Sequence, residues 1–319
     1  MKRFICKSAI FLAGFFLISL AIQFMSVSAI RSIPIGDFGV LNSIDKGTIN
    51  AEMIICGSSR GYDHYNPDIL NAETGYSCYN ISINGSRLEV QVPVLEWYLS
   101  KNRPPRVLIQ NIDLFAGEFD PVIFQPYKFV PYLRNNALYQ GLKALDQNWL
   151  LHRYVPCTNL IYFNKDMQKI LMKDLYLSYK NKGDYLIKGY HPTSLKFPDE
   201  YEKDYFREHP NGIRYTLSQI YKDYLMKLIQ LCRDRQIQLI LVMSPEYEKL
   251  TPLEIDKQDI IDFYVRESQA NGIRFLDFTG SEICRDKALF YNFTHMNADG
   301  ADRFSRELGE ELMKVLAER

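Results

Sequence analysis

The sequence predicts an α/β protein, with a parallel sheet of about five strands, helices on both faces in a three-layer α/β/α arrangement, and a mostly helical insertion. Three observations point there. Short apolar runs of strand length at 52–57, 77–83, 106–112, 238–243 and 274–278 alternate with amphipathic stretches of helix length, the rhythm of strand–helix–strand units. The first four runs stop on turn-forming or polar residues, Gly57-Ser58-Ser59, Asn84-Gly85-Ser86, Asp113 and Ser244-Pro245; open parallel sheets place their ligands outside these carboxyl ends. The rhythm also breaks between 115 and 211 and then resumes, so the α/β domain is expected over 51–114 and 212–319. The interruption is too long for an ordinary loop and is expected to form a helical cap.

The N-terminus carries Lys2, Arg3 and Lys7 and then an apolar run to Ile30 broken only by Gln23. About 22 apolar residues make roughly 33 Å of helix, enough to cross a hydrocarbon layer about 30 Å thick. Positive charge at the start keeps that end in the cytoplasm and sends the remainder across. The segment reads as an uncleaved single-pass anchor; the competing reading is a signal peptide cut near Val27-Ser28-Ala29, which leaves a secreted or periplasmic protein. Residues 31–50 have no sustained period and are expected to be a linker.

The first strand, 52–57, is apolar throughout, as a strand buried on both faces must be. Asn66-Pro67 then opens a short helix, with asparagine as cap and proline in the first turn. After the second strand, a helix over 89–100 draws on Val90, Val92, Leu95, Trp97 and Leu99, and the third strand follows at 106–112. In the insertion, helix-like stretches cover 136–151 and 164–179, and a Pro- and Tyr-bearing loop covers 185–205. A long amphipathic helix over 215–235 repeats Leu217, Ile220, Tyr221, Leu225, Leu228 and Ile229 at helical spacing. A helix over 254–270 stops at Asn271-Gly272, and a closing helix runs from 297 or 298 to 317.

Lys plus Arg and Asp plus Glu number 38 each, so there is no electrostatic footprint for nucleic acid. The cysteines stand singly at 6, 56, 78, 157, 232 and 284, without metal-ligand spacing or a disulfide framework. Cys56 and Cys232 are expected to act as small core hydrophobes. No metal or cofactor is expected.

The chemistry concentrates on the strands' carboxyl ends. Ser59 is the candidate nucleophile, and His295, on the turn before the last helix, is the candidate base that a weakly nucleophilic hydroxyl requires. Backbone N–H groups at Ser59 and Gly85 are candidate donors to a developing oxyanion. Taken singly, Gly-Ser-Ser is also a phosphate-binding turn or a helix cap, Gly85 a turn glycine and Asp113 a cap.

Gly57-Ser58-Ser59 after an apolar strand, Asn84-Gly85 after the second, and His295-Met296-Asn297 with Gly300-Ala301 before the last helix resemble the blocks of the SGNH (GDSL-like) hydrolase superfamily. The resemblance is strongest to its exported, membrane-anchored branch, which includes the D-alanyl transfer protein DltD and the alginate acetylation proteins. It covers residues 52–113 and 237–317. It implies a nucleophile at Ser59, a base at His295 and an oxyanion donor at Gly85, with Ser58 in the acidic place of the Gly-Asp-Ser block and Asn111 as a poorly matching third-block asparagine. Arg60 and His64 resemble a variant among bacterial exported members. The resemblance implies an extracytoplasmic esterase or O-acyltransferase acting on acyl groups of an envelope polysaccharide or related polymer, with a membrane-bound O-acyltransferase as a further partner.

One departure stands out. The family's aspartate three residues before the histidine is Asn292. In a serine protease this change costs roughly 10⁴ in rate, about 5.5 kcal/mol. The sequence therefore leaves open a slow Ser–His dyad, a replacement carboxylate such as Asp277 or Asp299, or a degenerate protein that only binds a polymer or an acyltransferase.

Overall fold

The computed structural model describes residues 1–117, 122–163, 176, 180 and 184–318. Five parallel strands, β1 (Met53–Cys56), β2 (Cys78–Asn80), β3 (Val107–Asn111), β4 (Gln238–Met243) and β5 (Arg274–Asp277), lie in the order β2-β1-β3-β4-β5. The expected α/β architecture is thus the observed one. The chain leaves β1 towards β2 and returns on the other side of β1 as β3, so the topological switch point lies between β1 and β3.

Alternate strand residues feed two cores, because successive side chains point to opposite faces. Ile54, Cys56, Leu108, Leu239 and Leu241 face one layer, which includes α2 (Gly36–Lys46), α5 (Leu88–Lys101), α10 (Gln219–Asp234) and α11 (Lys257–Asn271). Met53, Ile55, Val107, Ile109, Ile240 and Val242 face the other, made chiefly by α4 (Pro67–Thr74) and α12 (Ala298–Ala317). Burial pushes the Cys232 thiol up to about 12 and Cys56 higher still, so both are inert apolar groups.

The expectation of a linker over 31–50 is corrected. Gly36–Lys46 is a helix that buries Phe38, Leu41 and Ile44 and ends at left-handed Gly47. Asn42 on this helix donates to the carbonyls of Ile30 and Ile33 at 3.0 and 2.8 Å and accepts from the Tyr132 hydroxyl at 2.7 Å. These bonds join the end of the apolar helix α1 (Lys2–Arg31) to the domain and to the insertion. α1 has a mean hydropathy of 2.2 in its most apolar window and is the one helix among the described residues long and apolar enough to cross a membrane.

Within the insertion, α6 (Asn136–Leu145) and α7 (Trp149–Tyr154) replace the single helix expected over 136–151. Asp146 causes the break by accepting the Asn148 N–H at 2.9 Å in place of a helical carbonyl. α8 (Thr158–Tyr162) follows, and α9 (Tyr201–Glu208) takes over the end of the expected loop over 185–205. The helix expected over 164–179 lies almost wholly outside the described residues. The insertion reaches the carboxyl edge of the sheet through Phe124 beside Gly85, through His191 on Asp63, and through the Lys188 carbonyl, which accepts the Asn80 N–H at 2.9 Å.

Candidate active site

Gly57 continues β1 beyond its last paired residue, and a Cβ there would stand 2.8 Å from the Asn111 Cβ and 3.0 Å from the Gly61 Cα. Only glycine lets β1 turn this sharply against β3. The turn opens α3 (Ser59–His64), whose N-cap is Ser58. Ser59, partly buried, occupies the first position of α3, so its N–H has no intrahelical acceptor.

The Ser59 Oγ lies 2.7 Å from His295 Nε2, although 236 residues separate them in sequence. His295 Nδ1 lies 3.1 Å from Asn292 Oδ1 and 2.9 Å from the Thr294 hydroxyl. The Asn292 amide is oriented by its backbone partners: its Oδ1 accepts the N–H groups of Thr294 and His295 at 2.9 and 2.8 Å. A side-chain oxygen held by two N–H donors presents an acceptor to the ring, so Nδ1 carries the imidazole proton and Nε2 is left to accept from Ser59. This arrangement revises the expected cost of Asn292. The large loss in the serine protease follows from the wrong tautomer, whereas here the amide fixes the tautomer that a general base needs. The replacement carboxylates proposed from sequence do not serve. Asp277 is exposed and accepts the Thr279 N–H at 2.9 Å, and Asp299 is exposed in the first turn of α12.

Burial lowers the His295 pKa from its ordinary value, Arg60 adds to this, and Asp63, Asp113 and Glu246 oppose it. A neutral imidazole at neutral pH results. Tyr291 stacks on the His295 ring at 5.4 Å and donates to Asp63 Oδ2 at 2.7 Å, while Asp63 Oδ1 meets His191 Nδ1 at 2.9 Å. Sequence reasoning missed this second layer. Its signal was an acidic residue within one turn of the serine.

Beneath the site lies a buried ionic network. Arg60 is fully buried; its guanidinium donates to Glu246 Oε1 at 2.6 Å, to the Ser244 carbonyl and to the Ser244 hydroxyl at 3.2 Å, and lies 3.3 Å from Asp113 Oδ1. Burial opposes its charge, but Glu246 and Asp113 outweigh burial. Lys257 continues the network to Glu246 at 3.1 Å and Glu254 at 2.6 Å. Carboxylates outnumber cations in it, and burial together with Glu246 pushes Glu254 up to about 7. The buried His64 donates from Nδ1 to the Ser244 hydroxyl at 2.8 Å and accepts the Met296 N–H on Nε2 at 3.0 Å. Arg60 and His64 thus tie the ends of β1, β3 and β4 to the residue next to His295. The Ser-Pro-Glu after β4, read only as a strand stop, supplies two partners of Arg60.

The remaining candidates divide. Ser58, in the family's acidic place, donates to the Asp113 carboxylate, and Asp113 is a buried partner of Ser58, Arg60 and Asn111 rather than a surface cap. Asn111 is 2% exposed, donates to Asp113 at 2.9 Å and accepts from the Tyr65 hydroxyl at 2.7 Å. That engagement ties the amide oxygen and one of the two amide hydrogens of Asn111 into the interior of the fold. Gly85 has φ of +71°, and a Cβ there would collide with the Phe124 ring at 2.5 Å. Its turn is held beside the serine because Gly57 O accepts the Ile83 N–H at 3.0 Å and the Ser86 hydroxyl at 3.3 Å.

A serine bonded to a histidine that an amide orients thus stands at the switch point of a parallel α/β sheet. No family model and no curated protein matches the chain. Among solved structures it is similar to a "putative acylhydrolase" from Bacteroides fragilis NCTC 9343, with 14% identity, a TM-score of 0.35 and coverage of 82% of this chain and 87% of that one. It is also similar to a GDSL-like lipase from Bacteroides thetaiotaomicron VPI-5482, with 11% identity, a TM-score of 0.33 and coverage of 82% and 88%.

Proposed function

We propose that the protein is a membrane-tethered, extracytoplasmic esterase or O-acyltransferase that works through an acyl-Ser59 intermediate. The observation that carries this reading is the 2.7 Å contact between the Ser59 hydroxyl and a histidine nitrogen whose partner nitrogen faces a fixed acceptor. In the reaction, His295 Nε2 takes the Ser59 proton as Oγ attacks an ester carbonyl, then returns it to the departing alkoxide. The N–H groups of Ser59 and Gly85 are the proposed oxyanion donors. Water or an acceptor hydroxyl then repeats the sequence in reverse to release the acyl group.

The finer parts of the proposal rest on other grounds. α1 supports a single-pass anchor with the domain outside the cytoplasm, through its length, hydropathy and N-terminal charge. The resemblance to exported SGNH proteins supports an acylated envelope polysaccharide as substrate and a membrane-bound O-acyltransferase as partner. The degenerate, binding-only reading was motivated by Asn292, and the orientation of its oxygen weakens that motive.

The test is labelling of the full chain by a fluorophosphonate, followed by hydrolysis of p-nitrophenyl acetate. Wild type is expected to label at Ser59, and Ser59→Ala and His295→Ala to lose labelling and turnover while keeping the wild-type melting profile. Turnover retained in either variant overturns the assignment. Absence of labelling in folded wild type returns the protein to the binding-only class.

A further inference from the structure

The insertion touches α1 unexpectedly far from the folded domain. Cys157, in the turn between α7 and α8, donates its N–H to Gln23 Oε1 at 3.1 Å, and its thiol meets the Ser19 carbonyl at 3.2 Å. Ser19, Gln23, Ser26, Val27 and Ile30 are partly or fully buried along this side of α1, one helical stripe. Arg31, paired with Asp45 of the domain, marks the outer end of the helix. At 1.5 Å per residue, Gln23 and Ser19 lie roughly 12 and 18 Å below Arg31 along the axis, which puts Gln23 inside the outer half, about 15 Å, of a hydrocarbon layer about 30 Å across and Ser19 near its middle.

The segment carried to that depth has the composition of a membrane-facing surface. From Trp149 to Tyr162 it contains no Asp, Glu or Lys, and its only basic side chains are His152 and Arg153. His152 is buried, and Arg153 lies over the Tyr139 ring at 4.0 Å. Its outward residues are large and apolar: Leu150, Leu151, Tyr154 and Val155 are 45, 40, 63 and 46% exposed, and Ile161 and Tyr162 75 and 64%. A patch of this kind on a soluble surface is an association site. A cleft of about 320 Å³ between α1 and this segment opens beside it, lined by apolar side chains such as Leu20, Phe24 and Val130 and also by Arg31, Arg134 and Arg153.

We propose that α7 and α8 are embedded in the outer leaflet of the bilayer that α1 crosses, with lipid acyl chains covering Leu150 to Tyr162 and entering the cleft. The occupant follows from continuity: the patch is hydrogen-bonded to the membrane-spanning helix at hydrocarbon depth. The polar side chain of Gln23 is matched by the one backbone N–H that the turn at Cys157 presents to it. The insertion is then both a cap on the domain and a second foot in the membrane. This inference rests on the reading of α1 as an uncleaved anchor.

The experiment places nitroxide labels in the full chain, reconstituted in phosphatidylcholine–phosphatidylglycerol nanodiscs. Leu151→Cys and Ile161→Cys are compared with Phe11→Cys, inside α1, and Lys203→Cys, on exposed α9, in a Cys6→Ser, Cys157→Ser background that keeps the backbone N–H at 157. The expected result is that labels at 151 and 161 match position 11, with collision rates favouring oxygen over a water-soluble nickel chelate several-fold more than at position 203. Labels at 151 and 161 that behave like position 203, while position 11 stays in lipid, overturn the proposal and leave the anchor standing. Labels shielded from both reagents mean a second copy of the chain covers this face, and also overturn it. If mass spectrometry of chain recovered from native membranes finds residues 1–29 removed, the anchor reading fails and this one with it.

Discussion

Replacing Asn292 by aspartate puts a carboxylate oxygen where the amide oxygen now stands, 3.1 Å from His295 Nδ1 and already bonded by the N–H groups of Thr294 and His295. These acceptor roles survive, and a charge is added. An opposite charge at such range raises a histidine by about 1–3 pKa units, or roughly 1.4–4 kcal/mol. The same attraction stabilises the imidazolium that forms as Ser59 attacks, so acylation is expected to quicken by about 10- to 10³-fold. The gain falls short of the 10⁴ seen in the serine protease because the natural amide already fixes the tautomer. His295 sits below its ordinary value through burial and Arg60, so wild-type labelling is expected to stay active into mildly acidic solution. In Asn292→Asp the acid limb moves to higher pH, and the variant loses its advantage as the pH falls. The assay is the rate constant of fluorophosphonate labelling against pH for both proteins. An unmoved acid limb refutes the contact between residue 292 and the ring. A moved limb with an unchanged plateau refutes the role of imidazolium in the rate-limiting step.

Two further outcomes concern the scaffold. Arg60→Met leaves Asp113 buried without its cation and Glu246 with Lys257 alone, and is expected to cost about 3–5 kcal/mol in chemical denaturation, with Arg60→Met/Glu246→Leu recovering part of it; equal loss in both proteins contradicts the network described. His64 is held well below its ordinary value by burial, with Arg60 and His295 adding to the effect, so the unfolded chain binds the proton that the folded one refuses. Its contribution is therefore present above about pH 6.5 and lost as the pH falls below it, at up to about 1.4 kcal/mol per unit. The stability difference between wild type and His64→Gln is expected to narrow in that window, and a pH-independent difference refutes the buried neutral state.

Much of the architecture is written in local signals. The 238–243 run coincides with β4 because a strand buried on both faces is a continuous apolar run bounded by polar residues, and the C-terminal helix begins where Asn297 caps it by accepting the Gly300 N–H at 3.1 Å. Ser59 and His295 were legible because their positions follow from strand ends and a helix start. The ties behind them were not. Arg60 reads as a surface charge until β4 supplies Ser244 and Glu246, and Asp63 is anonymous until the insertion delivers His191. α2 was missed because its apolar residues, Phe38, Leu41 and Ile44, face a core built by segments 50 or more residues away, as in the bond from Asn102 to the Ile44 carbonyl. Asn292 illustrates a subtler limit: the residue type announced a defect, and only the backbone N–H groups around it determined which end of the amide meets the ring.

The tie between His64 and Met296 has a consequence for timing. It joins the first turn after β1 to the start of the last helix, as Ser59–His295 does, so neither bond exists until the C-terminal stretch has been made and has docked. Contacts of such sequence separation form late, after the closure of a very long loop. Under the proposed function, a chain that crosses a membrane during synthesis would carry its serine through the translocation path unactivated, and hydrolytic competence would begin only when the last helix closes on the finished domain.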